Sequence, residues 1–414
     1  KNSIDLDNND QFEIDLGGKK LYFNSQTTNI NRPIEPNSDF DWNSAYGFYV
    51  QGLEFEKQRR YPEALELYLK SNQIESGFVP TLNRLAMSYY RIMKYDDALK
   101  FANLALGIDT YDGLANYNYG LIQVALKSIS EAKSGFSIAS QSINLRSASY
   151  TQLAKIFLNE KDWNKSKDYL EKALAFNKYN IHALEMLSVV YRKLNNKKKT
   201  EKVLNTIESI DASNVFINSE KLFLKTKKED QFRSQITNEL PHETYLELAL
   251  KYENFGLTDE AVQLLKLAPE NTMVYLWLAY LDTGASEVWI AKALDLSAEM
   301  VFPHRIESIG MLNSLVNKNS NWKLKYYLAL IYWNKGLLMD AKNLFDACKE
   351  EPDMVEFYLS RAKLFSDNIM VIESSLEKAA SIDVNNWRVN MAQIEFDLSK
   401  GNYESAHDLS KKFM

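Results

Sequence analysis

Apolar side chains recur along this chain at helical spacing. Leu65, Tyr68 and Leu69, then Ala98, Leu99, Ala102 and Leu106, follow an i, i+3/i+4, i+7 stripe. Small residues carry a second, longer period. Ala64, Ala98, Ala132, Ser166 and Thr200 each lie 34 residues after the last. Twelve residues before each stands another small residue: Gly52, Ala86, Gly120, Ala154 and Ser188. Three residues further on come Phe55, Tyr89, Gln123, Phe157 and Tyr191, aromatic in all but one unit. In the second to fifth units Leu85, Tyr119, Leu153 and Leu187 precede the small residue. The pattern predicts five helical hairpins over 45–212. In each, two helices of about a dozen residues approach closely where their side chains are small. One such hairpin cannot bury its apolar face alone, so neighbours stack and share a core.

Past residue 212 the register breaks. Val215–Lys228 reads as a helix and Phe232–Leu240 as a short partner, together a degenerate sixth unit over 213–241. The spacing of twelve returns at Ala249 and Ala261, Ala279 and Ala291, and Ala329 and Ala341. Between the last two pairs the stretch 301–305 inserts, followed by a predicted helix from Ile306 to Val316. Glu356–Phe365 with Met370–Ala380, and Trp387–Lys400 with Tyr403–Phe413, read as two further hairpins. The count is about ten units, with 45–212 and 242–414 expected as two superhelical segments hinged near 213–241.

The first 44 residues differ. Residues 12–16 and 20–23 alternate around Gly17-Gly18, a β-hairpin signature, and 29–41, with Pro33 and Pro36, reads as an extended linker. A lone hairpin is marginal in water. It should pack on the first repeats or form the edge of a larger β domain, the second being the favoured expectation.

The stride and the small and aromatic marks resemble the tetratricopeptide repeat, although most units lack its Trp and closing Pro. The resemblance implies an all-α fold, a right-handed superhelix of hairpins preceded by the small β segment. Further phrases, among them Arg32-Pro33-Ile34-Glu35, Ile108-Asp109-Thr110-Tyr111, the stretch 146–154 and Trp322–Gly336, are similar to bacterial proteins in which a β-sandwich domain of unknown function, number 5107, precedes such repeats. That resemblance implies a sandwich upstream of Lys1, with the 11–23 hairpin as its tail, and brings no catalytic motif to any residue here.

Composition narrows the function classes. Net charge is −6, with 49 basic and 55 acidic residues, so no basic face marks a nucleic-acid partner. The longest wholly apolar run, Met273–Leu281, is nine residues, about half of a bilayer span. A single cysteine, Cys348, cannot form an intramolecular disulfide and reads as a small buried hydrophobe. His182, His242, His304 and His407 are scattered, without metal-ligand spacing. No phosphate loop, nucleophile elbow or dinucleotide fingerprint occurs. The chain is therefore read as a non-catalytic scaffold with no cofactor and no metal, and its localisation is expected to be cytoplasmic.

Function then falls to the concave surface that the first helices of successive repeats build. The tetratricopeptide resemblance points the second, fifth, sixth and ninth residues of each unit there. These are Tyr46, Tyr49, Val50 and Leu53; Asn83, Arg84 and Met87; Tyr117, Asn118 and Leu121; and Thr151, Gln152 and Lys155. Rings could hold a peptide's apolar side chains, amides its backbone and Arg84 a carboxylate, or the same residues could simply pack between helices. The Lys- and Asn-based clamp that some such modules use for a C-terminal carboxylate is absent, with Tyr49, Leu53, Arg84, Leu114 and Asn118 in its place. Trp277, Tyr280, Trp289, Tyr326 and Trp333 form an aromatic group expected mainly in the core. The expected partner is a protein or peptide. The alternative is an accessory arm of a carbohydrate-active protein, which meets glycan through an upstream domain or builds a homodimer.

Overall fold

The computed structural model describes residues 11–15, 20–24, 40–349 and 351–411. Gln11–Asp15 (β1) and Lys20–Asn24 (β2) pair antiparallel, with Phe12 opposite Phe23. The extended linker expected over 29–41 falls, up to residue 39, outside the described residues. Beyond it the described residues hold 23 α-helices.

The first five hairpins are α1 (Ala45–Lys57) with α2 (Tyr61–Ile74), α3 (Val79–Arg91) with α4 (Tyr95–Ile108), α5 (Gly113–Ala125) with α6 (Ile129–Ala139), α7 (Arg146–Asn159) with α8 (Trp163–Phe176), and α9 (Ile181–Lys193) with α10 (Lys197–Ile210). There follow α11 (Phe216–Phe223) with α12 (Glu229–Arg233), α13 (Pro241–Asn254) with α14 (Thr258–Leu267), and α15 (Thr272–Leu281) with α16 (Ser286–Asp295). A single helix, α17 (Ser308–Lys318), precedes α18 (Trp322–Asn334) with α19 (Leu338–Ala347), α20 (Val355–Leu364) with α21 (Ile369–Ile382), and α22 (Trp387–Ser399) with α23 (Tyr403–Lys411). The chain divides into two compact units, Lys1–Thr81 and Leu82–Met414.

One turn joins the helices within most hairpins. Its middle residue is left-handed: Arg59, Met93, Lys127, Lys161 and Asn195, 34 residues apart, then Gly256, Gly336 and Gly401, while Lys225 is left-handed in a longer, five-residue connection. In the fourth hairpin the Asp162 amide donates to the Phe157 carbonyl at 2.9 Å and the Lys161 amide to Leu158 at 3.0 Å. Asn196 to Tyr191 (2.8 Å) and Leu257 to Tyr252 (2.9 Å) repeat the first bond. These are the two bonds of a helix C-terminus closed by a left-handed residue, and they satisfy carbonyls that would otherwise be orphaned. The residue that closes the first helix is also the N-cap of the second, as at Asp162 and Asn196, whose side chains accept from the amides of Lys165 and Lys199. Three residues therefore end one helix and start the next, which fixes hairpin length. The aromatic noted in the sequence at Phe55, Tyr89, Phe157 and Tyr191 is the residue whose carbonyl receives the closing bond.

Small residues set the distance between paired helices. A Cβ on Gly52 would lie 2.5 Å from the Tyr68 ring, and one on Gly120 2.6 Å from the Phe136 ring. The same two positions hold Ala154 with Leu170 and Ser188 with Leu204 in other units, all buried. Where the first helix carries glycine, the second carries an aromatic; Ala154 and Ser188 face leucine, while in the second hairpin Ala86 faces Ala102. Buried Ser166 adds a polar tie, donating to the Ala154 carbonyl at 3.0 Å. The core within Leu82–Met414 is one cluster reaching from Ala154 to Val389, with smaller clusters around Ala98 and around Phe136.

Several elements differ from expectation. The predicted helix over 215–228 stops at Phe223, because Lys225 turns left-handed and Thr226 bonds back to the Lys221 carbonyl at 3.0 Å. Its partner is only five residues, Glu229–Arg233. Ala291 does not serve as the small partner of Ala279: it is exposed, and α16 buries Ser286, Ile290 and Ala293 instead. A 3-10 turn at Thr283–Ala285 replaces the usual one there, and the Ser286 hydroxyl donates to the Ala279 carbonyl at 2.7 Å. The inserted stretch delays its helix by two residues, to Ser308.

The left-handed lysines are strained by about 1 kcal/mol each, partly offset in a glycine variant by its freer unfolded chain. Lys161→Gly should therefore raise the thermal midpoint by up to about 1 kcal/mol equivalent. Gly256→Ala should lower it by more than that, since its Cβ would also meet Asn159 at 3.0–3.1 Å. Paired melts followed by circular dichroism check both signs.

Candidate functional site

The fifth residue of each first helix shows what the repeat does with its inner face. In α3 and α9 it is Asn83 and Glu185, in α7 the sixth residue, Thr151, holds the same place in the 34-residue stride, and each bonds to a residue 29 places on, at the entry to the next first helix. Asn83 donates to Asp112 at 3.0 Å, Asn180 donates to the Thr151 hydroxyl at 3.0 Å, and Asn214 donates to Glu185 at 3.3 Å. Asp112 and Asn180 in turn accept from the amides of Ala115 and Ala183 as N-caps. The α3 and α7 helices thus hold the N-caps of α5 and α9, and Glu185 holds Asn214, which accepts from the Phe216 amide at the entry to α11. In α5 the fifth residue is Tyr117, which accepts from Gln152 at 3.4 Å, and 29 places on stands Arg146, the first residue of α7, which donates to the carbonyls of Ser140 and Gln141.

Three of the proposed peptide-gripping residues are consequently engaged within the chain. Asn83, Asn118 and Thr151 are buried; Asn118 donates to the Asn83 carbonyl at 3.2 Å, and Thr151 donates to Ser147 at 2.7 Å. Arg84, Met87, Tyr117, Leu121, Gln152 and Lys155 are half-buried on α3, α5 and α7. Burial lowers the Lys155 ammonium, and Glu307, from the stretch before α17, pulls it back up. Burial raises the Tyr90 phenol, and Tyr95, Tyr117 and Glu307 add to that in smaller measure. The charge of Glu307 thus acts on side chains of both α3 and α7, a relation that periodicity gives no hint of. In the Lys1–Thr81 unit, Tyr46 and Tyr49 stack at 6.2 Å between ring centroids, and both meet Phe78 edge-on, at 6.4 and 5.5 Å. Tyr46 remains exposed.

Polar density is greatest where the stride fails. Arg192 of α9 holds Glu220 of α11 at 2.9 Å through its Nε and Glu260 of α14 at 2.9 Å. Tyr252 of α13 donates to Glu220 at 2.7 Å and shares a 2.9 Å bond with Ser219. Burial, then the charge of Glu220, push that phenol well above its ordinary value, so it stays a donor. Lys251 of α13 meets Glu185 at 2.8 Å. Burial alone would raise the Glu185 carboxyl, but His182, Lys251 and Asn214 outweigh it and leave it lowered. The Asn159 amide at the end of α7 reaches the Asn254 carbonyl at the end of α13, at 3.0 Å.

The histidines are less scattered in space than in sequence: His242 and His304 approach Glu243 at 3.7 and 3.9 Å, beside Arg305 at 2.8 Å. No three His, Cys, Asp or Glu residues among those described converge as a metal site. Among the described residues no helix is long and apolar enough to cross a membrane. Of the aromatic group, Trp277 and Tyr326 are buried and Trp289 and Trp333 pack against the core, leaving Tyr280 at the surface.

The open concavity lies further along the chain. A cleft of about 610 Å³ is walled on one side by the inserted Ala298, Met300, Val301 and Phe302. Tyr326 and Leu330 of α18, Met354, Leu359 of α20 and Arg388 of α22 face them. Met300 and Phe302 are 81% and 69% exposed. Met300 is left-handed, and the buried Pro303 and the Arg305–Glu243 pair anchor the stretch behind it. A smaller cavity of about 240 Å³ is lined by Asp211, Asn214, Thr244, Glu247 and Lys251, among others. Sequence reasoning flagged the insertion and Tyr326 separately; nothing in the spacing showed that they meet.

No family model matches the chain. The BBSome complex member BBS4 of Bos taurus is 26% identical over 169 residues, 41% of this chain and 32% of that protein. The Drosophila melanogaster BBS4 homolog is 26% identical over 204 residues, 46% of this chain and 42% of that protein. The matched part thus spans a third to two-fifths of these curated relatives. Among solved structures, Pseudomonas aeruginosa pilF superposes at a TM-score of 0.44 with 19% identity, covering 51% of this chain and 96% of its own. A tetratricopeptide repeat protein from Parabacteroides merdae gives 0.41 with 11% identity, covering 69% and 98%. The resemblance to proteins with an upstream β-sandwich gains nothing from these matches.

The Glu185 carboxyl, held low in the folded chain, contributes stability above the unfolded value of about 4.3 and loses it as pH falls through the folded one. Glu185→Gln should cost about 1–3 kcal/mol at pH 7, leaving Lys251 without its partner. The gap to wild type should close below about pH 4 in urea titrations. The tetratricopeptide-like repeat fold rests on this chain's own stride, hairpins and turns.

Proposed function

We propose that this chain is a non-catalytic scaffold that binds a partner protein through an apolar peptide segment laid in the cleft between the inserted stretch and α18, α20 and α22. The observation that carries this reading is the exposure of Met300 and Phe302 on one wall of a 610 Å³ concavity whose other wall is apolar. Solvated methionine and phenylalanine side chains in a concave setting gain on being covered, and methionine adapts to differing partners. The polar rim of Glu299, Glu356, Ser360 and Arg388 offers hydrogen bonds to a peptide backbone. The first-helix face of α3, α5 and α7 is the competing place for a partner; against it stand the buried Asn83, Asn118 and Thr151.

Peptides selected from a displayed random library on the intact chain provide the test. Phe302→Ala and Leu359→Ala should each weaken a selected peptide by about tenfold or more, as loss of an apolar anchor does. Arg84→Ala and Gln152→Ala should change affinity by less than about threefold. The reverse pattern in calorimetry would move the site to the first-helix face of α3–α7.

A further inference from the structure

The last first helix has two apolar faces. Val389 and Phe396 are buried against the preceding hairpin. Trp387, Met391, Ile394 and Leu398 form a second stripe at i, i+4, i+7 and i+11, with Trp387 65% exposed and Met391 and Leu398 each 48% exposed. Most corresponding positions in the two preceding repeats, Trp322, Tyr326 and Ala329 of α18 and Val355 and Ala362 of α20, are buried. The first residues of α18 and α20, Trp322 and Val355, are buried, as is Tyr326, the fifth residue of α18. Trp322 and Tyr326 both pack on Phe357 of α20, at 6.0 and 5.4 Å. The outer stripe of α22 is therefore a stacking face of the repeat itself, built to receive a helix rather than water.

We propose that this face pairs with its own copy, α22 against α22 of a second chain, antiparallel. The spacing of the stripe is that of a heptad seam, with Met391 and Leu398 alternating with Trp387 and Ile394. Arg388 and Glu395 flank the seam on one side. In an antiparallel pair that flank faces its own copy, so Arg388 of one chain meets Glu395 of the other, twice. In a parallel pair Glu395 would face the neutral Asn390, so the charges select the antiparallel arrangement. Arg388 meets Glu356 of its own chain at 3.4 Å yet keeps its side chain 54% exposed, and Glu395 is exposed. On the other flank Asp397 is buried and taken up by Ser405 at 2.8 Å. One pair of 13-residue helices covers less than the roughly 1,600 Å² of a standard interface, so the dimer is weak, with dissociation in the range of about 10–100 µM.

Sedimentation velocity of the intact chain from about 1 to 500 µM, spanning that range, decides the matter. A concentration-dependent dimer is expected. Glu395→Arg should weaken it about tenfold or more by facing like charges twice, and Arg388→Glu with Glu395→Arg should restore it. Met391→Glu should abolish it with helical circular dichroism unchanged; should that variant not fold, the charge swap alone carries the test. A monomer throughout the range, which would leave the face to another partner or another segment, overturns the proposal. So does a dimer indifferent to Glu395→Arg, or one that the double swap does not restore.

Discussion

The structure depends on how closely two helices can approach at one point of each hairpin. A glycine, alanine or serine on the first helix lies under the residue sixteen places on in the second. In four of the first five hairpins a small residue meets a large one, the second pairing Ala86 with Ala102. Gly52 lies under Tyr68 and Gly120 under Phe136, at distances that leave no room for a methyl group. The three-residue turn then fixes where along the helices this contact falls. Where its closing residue also caps the second helix, as at Asp162 and Asn196, the connection is three residues long. Contact and turn together give the stride of 34, and the stride lets one side-chain pairing recur from repeat to repeat.

That recurrence explains both the order of the fold and its irregular centre. Asn83, Thr151 and Glu185 can each hold a residue at the entry to the following first helix only because those residues return at the same offset. Where α11 and α12 are too short to supply apolar area, ionic and hydroxyl groups substitute. Arg192, Glu220, Glu260 and Tyr252 link four helices through bonds of 2.7–2.9 Å. Buried charges of this kind are costly unless each is paired, which these are. Beyond them the insertion before α17 adds no helix to the stack; it supplies a wall to the cleft.

How much of this was legible depended on whether the signal was local. The hairpins over 45–212 follow from small residues at a fixed period, and the aromatic that accompanies them proved to be the residue whose carbonyl accepts the closing bond of the turn. The left-handed turn itself was hidden, because five of its first residues are Arg, Met, Lys, Lys and Asn rather than glycine. Ala291 kept the right spacing and the wrong environment, since the 3-10 turn before it rotates α16. The groove residues were assigned by their place in the repeat, which gives direction but not burial. Asn83 and Thr151 point inward and meet a cap. The cleft joins an insertion to helices more than twenty residues away, a relation no periodicity encodes.

Volume matching at the helix crossing is open to one direct measurement, a double-mutant cycle on Gly120→Ala and Phe136→Leu. Alanine exceeds glycine in helix propensity by about 1 kcal/mol, so a crossing without contact would make the single glycine variant more stable. Contact at 2.6 Å predicts the opposite, a loss of about 1–3 kcal/mol. With Phe136→Leu present, Gly120→Ala should cost little or nothing, because the site then resembles Ala154 over Leu170. Additive losses in denaturant melts, or a stabilising Gly120→Ala on its own, would contradict the account.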